Sequence, residues 1–158
     1  TPWHQDGQYW PIIPLATCTV WLAVDDANEE NGCLKFIRGS HRDKNLKQHE
    51  FNEDKNLTLH QELLKSEFNE KESVNLILKR GQISLHDVYL VHGSDANLSS
   101  KSRRGMTMRF MPTTSVFDHN LAKEKYNNLN VSKYSNRKIY LARGYDKSKR
   151  NNLEVVNF

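Results

Sequence analysis

The sequence predicts an all-β domain with a minor helix, a sandwich or jelly roll, and three observations carry that prediction. Hydrophobic residues recur with a period of two rather than the helical period. The apolar runs are short and punctuated by Gly, Asn and Pro. One long charged insertion interrupts them, and no internal repeat is present. The 158 residues suit one domain.

Each element follows from a local pattern. Trp3, Tyr9 and Trp10, with Pro11 and Pro14, make the first segment extended and exclude a helix. Thr17 to Val24 alternates: Cys18, Val20, Leu22 and Val24 form an aliphatic face suited to a core between sheets, whereas Thr17, Thr19, Trp21 and Ala23 form a polar-aromatic face suited to a pocket lining. Asn31-Gly32 turns the chain into a second strand, Cys33 to Ile37, closed by Gly39-Ser40. In the charged stretch from Lys44 to Ser73, Asn52 to Asn56 reads as an exposed loop. Leu57, Leu59, Leu63, Leu64 and Phe68 are compatible with one short amphipathic helix. Val74 to Leu78 and Ile83 to Leu85 read as strands joined at Arg80-Gly81, followed by strands at Val88 to His92 and Gly105 to Met111.

Composition narrows the function. The net charge of +4 separates into two parts: residues 119–158 carry nine Lys/Arg against three acidic residues, so residues 1–118 carry −2. A basic tail can touch phosphates, but no helix-turn-helix, zinc-finger or glycine-aromatic pattern accompanies it, and no nucleic-acid partner is expected. The most apolar stretch, Leu15 to Val24, is too short to span a bilayer. No secretory leader is visible, and Cys18 and Cys33 form neither a CxxC pair nor a disulfide framework. They are expected as reduced core residues of a cytoplasmic protein.

Three histidines stand two residues before a carboxylate: His4/Asp6, His41/Asp43 and His60/Glu62. His41-Arg42-Asp43 resembles part of a kinase catalytic loop, but Gln48 stands where that loop needs Asn and no glycine-rich loop precedes it. His60/Glu62 falls in the helical pattern, where positions two apart diverge. His4/Asp6 lies on extended backbone, where they share one face and can close on one metal ion. A third ligand is needed, and His92, ending the run Val88 to Val91, is a candidate alongside His41, His49, His86 and His119. Two histidines and a carboxylate form the facial ligand set of non-haem iron(II) oxygenases.

The ordered blocks Trp3-His4-Gln5-Asp6-Gly7, Thr19 to Ala23, Asn31-Gly32-Cys33-Leu34, Gly39-Ser40-His41 and His92-Gly93-Ser94 with Asn97 and Arg103 resemble the phytanoyl-CoA dioxygenase family, as does the tail Ile139 to Gly144. The resemblance implies a double-stranded β-helix form of jelly roll and an oxygenase dependent on Fe(II), 2-oxoglutarate and O2. It makes His4, Asp6 and His92 the iron ligands and Arg103, eleven residues after His92, the anchor of the far carboxylate of 2-oxoglutarate. Trp21 and Ser94 match further co-substrate contacts. Arg104 should face the opposite way, while Arg109 shares the parity of Arg103 and stays open.

Gly81-Gln82 replaces the family's usual Gly-Asp, at a position that is not a ligand. Asp6 retains a carboxylate that related halogenases lack, so hydroxylation is expected over halogenation. Nothing corresponds to the family's N-terminal helices and first strands, so the chain is expected as an N-terminally truncated fragment. Residues 1–118 are expected as the catalytic core and residues 119–158 as a basic extension of the same domain. The expected partner is a small-molecule or acyl substrate, with succinate and CO2 as co-products. Competing readings are a cupin-like metalloprotein without 2-oxoglutarate and a non-catalytic jelly-roll binding domain.

Overall fold

The structure, a computed structural model, describes residues 1–129, 131 and 133–154; the end of the expected basic extension, residues 155–158, lies outside them. In chain order the strands are β1 (Ile12–Ile13), β2 (Cys18–Ala23), β3 (Leu34–Ile37), β4 (His49–Phe51), β5 (Gln61–Leu63), β6 (Ser73–Leu76), β7 (Ile83–Asp87), β8 (His92–Ser94), β9 (Gly105–Phe110) and β10 (Val116–Phe117). Helix α1 (His119–Leu129) and the short parallel pair β11 (Ile139–Tyr140) and β12 (Leu153–Glu154) follow. No described helix is long and apolar enough to cross a membrane.

Two three-stranded antiparallel sheets dominate, ordered β7-β2-β9 and β6-β3-β8. β2 is the longest central strand because its Thr, Val and Trp suit a pleated, half-buried surface. Its register places Thr19 opposite both His86 and Arg109, and Trp21 opposite Ser84 and Thr107. Gly32, at φ +73°, makes the turn into β3; a Cβ there would also lie 2.5 Å from Asp95 O. Three small cores hold the layers. Trp10, Ile12, Val88, Phe117 and Ala122 tie the first segment to α1. Trp21, Ala23, Ala27 and Cys33 lie under β2, and Ile37, Leu63 and Val91 under β3.

Five expectations need correction, three of them about where the elements form. Residues 57–68 form no α-helix: β5 pairs there with β4, and a 3-10 turn follows at Lys65–Glu67. Backbone pairing and complete burial of Leu63 outweigh the leucine spacing. Val88 to Val91 is the turn between β7 and β8, apolar because Val88 and Val91 are wholly buried. β6 and β7 belong to different sheets, so Arg80-Gly81 crosses between layers and makes no hairpin.

On β2 the polar-aromatic face lines a cavity as expected, through Thr19 and Trp21, but the aliphatic face is not packed into a core between sheets. Thr19, Trp21 and Ala23 are buried, whereas the aliphatic side of the sheet is open, with Ile83 53%, Leu85 64% and Met106 52% exposed. Cys18 is exposed on that side and is no core residue; Cys33 is buried as expected. The polar-aromatic row turns inward because it surrounds the buried carboxylate of Asp6.

Candidate metal centre and active site

His4 and Asp6 sit where the extended first segment enters a short 3-10 turn, Asp6–Gln8, and His92 opens β8. The two histidine backbones pair directly: His4 N–H donates to His92 O at 2.9 Å and His92 N–H to His4 O at 3.0 Å. The imidazole rings come within 4.2 Å, centroid to centroid. A Cβ at Gly93 would lie 3.2 Å from Thr1 O and 3.3 Å from Trp3 Cα, so this close pairing favours glycine there. One donor atom from each of His4, Asp6 and His92 lies within 4.8 Å of the others, and all three residues are buried.

The hydrogen bonds fix the tautomers. His4 Nδ1 lies 2.8 Å from Pro2 O, and His92 Nδ1 lies 2.8 Å from Leu90 O. A carbonyl oxygen only accepts, so each Nδ1 carries the proton and each Nε2 lone pair is free to bind a metal. Burial, and then the neighbouring His4, push the His92 imidazole down to about 3, which keeps it neutral at ordinary pH.

Asp6 rests on one row of the β7-β2-β9 sheet. Thr19 Oγ1 donates to Asp6 Oδ2 at 2.8 Å, Arg109 Nη2 donates to Oδ1 at 3.2 Å, and His86 Nε2 lies 3.7 Å from Oδ2. Burial alone would raise the Asp6 carboxyl. The His4 and His86 imidazoles, then His92 and the Arg109 guanidinium, instead hold it well below the usual carboxylate range.

Gln5, pointing away between His4 and Asp6, locks the segment. Its Nε2 donates to Tyr89 O at 2.7 Å and Asn45 O at 2.9 Å, and its Oε1 accepts from Lys47 N–H at 2.8 Å. Its backbone N–H donates to His49 Nε2 at 3.1 Å, and His49 Nδ1 lies 2.9 Å from Lys47 O. His49 must therefore be neutral in this arrangement, and burial pushes its imidazole down to about 4.

Arg103 lines the same cavity of about 240 Å³ as His4, Asp6, His92 and Trp21. Its Nε is buried without a hydrogen-bond partner among the described residues, its Nη2 lies 3.5 Å from Ser94 Oγ, and its guanidinium lies 6.0 Å from the Trp21 ring centroid. Arg104 points outward, donating from Nε and Nη2 to Asp25 at 2.8 Å each. The structure thus gathers His4, Asp6, His92, Trp21, Ser94 and Arg103 in one place. Two imidazoles and a carboxylate suit a divalent iron ion, and the unpartnered guanidinium N–H suits a carboxylate co-substrate.

The sequence left His86 and Arg109 unresolved and did not single out Gln5 or Gly105 as supports. A Cβ at Gly105 would overlap the Trp21 indole, so this glycine makes room for that ring. The signal for Arg109 was its parity with Arg103. The signal for His86 needs the strand register, which no local pattern supplies.

Residues 1–105 match the phytanoyl-CoA dioxygenase family. The chain belongs to that family. Among its relatives, a phytanoyl-CoA dioxygenase domain-containing protein 1 homolog of Dictyostelium discoideum is 34% identical over 112 residues, covering 68% of this chain and 39% of the relative. The chain therefore spans less than half of that relative's length. Among solved structures, EvdO2 from Micromonospora carbonacea var. aurantiaca, complexed with 2-oxoglutarate, is 28% identical with a TM-score of 0.60, over 70% of this chain and 44% of that one. SnoK, a non-heme alpha ketoglutarate dependent carbocyclase from nogalamycin biosynthesis, shares the fold at 23% identity and a TM-score of 0.58, over 74% of this chain and 45% of that one. The fold is the jelly roll of these oxygenases, and Fe(II), 2-oxoglutarate and O2 are the cofactor set that accompanies it.

Proposed function

We propose that this member of the phytanoyl-CoA dioxygenase family is a dioxygenase that hydroxylates a small-molecule or acyl substrate and releases succinate and CO2. The buried His4/Asp6/His92 cluster carries the reading, because its donor atoms converge within 4.8 Å. When bound, iron and 2-oxoglutarate supply the oxidation of a C–H bond at the expense of O2. His4, Asp6 and His92 hold the metal, with both imidazoles presented through Nε2. Arg103 grips the distal carboxylate of the co-substrate, beside Trp21 and Ser94, and its planar fork sets the orientation. Thr19, His86 and Arg109 keep the Asp6 carboxylate ionised and aimed.

Asp6 supports hydroxylation over halogenation, since the carboxylate fills the position that a halide would need. The carbocyclase of the same fold shows that fold alone does not choose the outcome. Arg103 argues against a cupin-like protein without 2-oxoglutarate: its buried Nε would lack an acceptor, at a cost of about 1–3 kcal/mol. The test is succinate formation in air from Fe(II) and 2-oxoglutarate. The reading predicts succinate from the folded wild-type chain and loss of 2-oxoglutarate affinity with retained iron in Arg103→Ala. Succinate no higher than in metal-free protein would refute it, and unchanged affinity in Arg103→Ala would move the anchoring role to Arg109.

A further inference from the structure

A second, larger cavity of about 470 Å³ shares Trp10 and Arg109 with the metal cavity as a common wall. Its lining is cationic and aromatic. The Arg109 and Arg137 guanidinium carbons lie 4.7 and 5.0 Å from the Trp10 ring centroid. Tyr134 stacks on the same indole at 4.9 Å and 15°. Arg143 also lines the cavity. Arg109 is engaged by Asp6, but neither Arg137 nor Arg143 has an ion-pair partner among the described residues. The wall's acidic side chain, Asp146, is already bonded by Ser148 Oγ at 2.6 Å and Asn151 N–H at 3.0 Å.

Thr17 supplies the independent observation. The residue is 7% exposed and lines the cavity, and its Oγ1 has no hydrogen-bond partner among the described residues. A buried hydroxyl without a partner costs about 1–3 kcal/mol, which a ligand oxygen at this wall would recover. Ile12 and Phe117 give the same cavity an apolar side.

We propose that this cavity binds an organic anion, a phosphate or carboxylate held by Arg137 and Arg143 and by the Thr17 hydroxyl, with its apolar body against Trp10, Ile12 and Phe117. Guanidinium groups grip both kinds of anion through paired, charge-assisted hydrogen bonds, and the indole restricts where Arg137 can point. The shared wall allows two sources for the anion: the remote end of the substrate or a separate effector.

The test uses metal-free protein, so that its outcome does not depend on the iron chemistry, and phenyl phosphate as the probe. Calorimetry reads the affinity, and the Trp10 indole N–H resonance, assigned with Trp10→Phe, reads the place. Phenyl phosphate should bind at least about tenfold more tightly than phenol and shift the Trp10 signal, and Arg137→Gln/Arg143→Gln should lose about that factor. Both arginines are exposed, so the double variant keeps its fold. Thr17→Val should weaken binding by about a further threefold. With iron and 2-oxoglutarate added, a rise in succinate formation on adding phenyl phosphate identifies the substrate's remote end, and binding without that rise identifies an effector. Equal affinity for phenol and phenyl phosphate, or an unchanged double variant, overturns the proposal.

Discussion

Thr19→Val isolates the support of Asp6, the proposed metal ligand, from the carboxylate itself. Thr19 is wholly buried and its hydroxyl donates to Asp6 Oδ2 at 2.8 Å, the shortest contact that any side chain makes to this carboxylate among the described residues. Valine keeps the branched shape and strand preference of threonine while deleting one charge-assisted hydrogen bond, worth about 1.5–3 kcal/mol. Arg109, at 3.2 Å, still neutralises the carboxylate, so Asp6 stays charged but loses part of its aim. Metal affinity should therefore fall about 10–100-fold, the usual loss when a group that orients a ligand is removed. Anaerobic Fe(II) titration by calorimetry measures this, with circular dichroism confirming the fold. Ser84→Ala is the control, because Ser84 Oγ is buried in the adjoining strand with no partner among the described residues and should leave metal affinity unchanged. An affinity in Thr19→Val within about twofold of wild type would refute the orienting role of this row.

Other consequences follow from the same geometry. Gly105→Ala drives a methyl into the Trp21 indole and should cost about 1–3 kcal/mol, read as a lower Tm. Arg104→Ala, which breaks an exposed pair with Asp25, should leave 2-oxoglutarate binding unchanged, in contrast to Arg103→Ala; equal losses in a binding titration would contradict the placement of the two arginines. Acid should destabilise the fold through His49, which His4, Glu67 and Lys125 surround and whose imidazole sits at about 4 in the folded chain. Its unfolded value is about 6.5, so the unfolded chain binds the extra proton first. Stability present above about pH 6.5 is then lost as pH falls toward 4, at up to about 1.4 kcal/mol per unit. His92, at about 3 in the folded chain, adds its own slope over the same range, so urea titrations between these limits should show a slope that His49→Gln reduces by about this amount.

The site was more legible than the fold that carries it. His4 and Asp6 share a face because extended backbone has a period of two, and Pro11 and Pro14 enforce that backbone locally. The alternation of β2 was equally visible, but which face is buried depends on what the sheet packs against. The hydroxyl of Thr19 faces inward to bond Asp6, thirteen residues earlier, a partner that periodicity cannot reveal. The helix was expected within residues 57–68 and formed at α1 instead. There Asp118 caps the first turn, its Oδ1 accepting from Asn120 N–H at 2.9 Å and Leu121 N–H at 3.0 Å. That cap was present in the sequence, whereas the β4-β5 pairing that claims Gln61–Leu63 is a tertiary choice.

The central claim, that His4, Asp6 and His92 bind iron in a form that 2-oxoglutarate can chelate, is tested most directly by adding both to the protein without oxygen. The wild-type chain should show the weak visible charge-transfer band of the chelate, and His92→Ala should lose it. Well-folded protein without the band, or a band that survives His92→Ala unchanged, would contradict it.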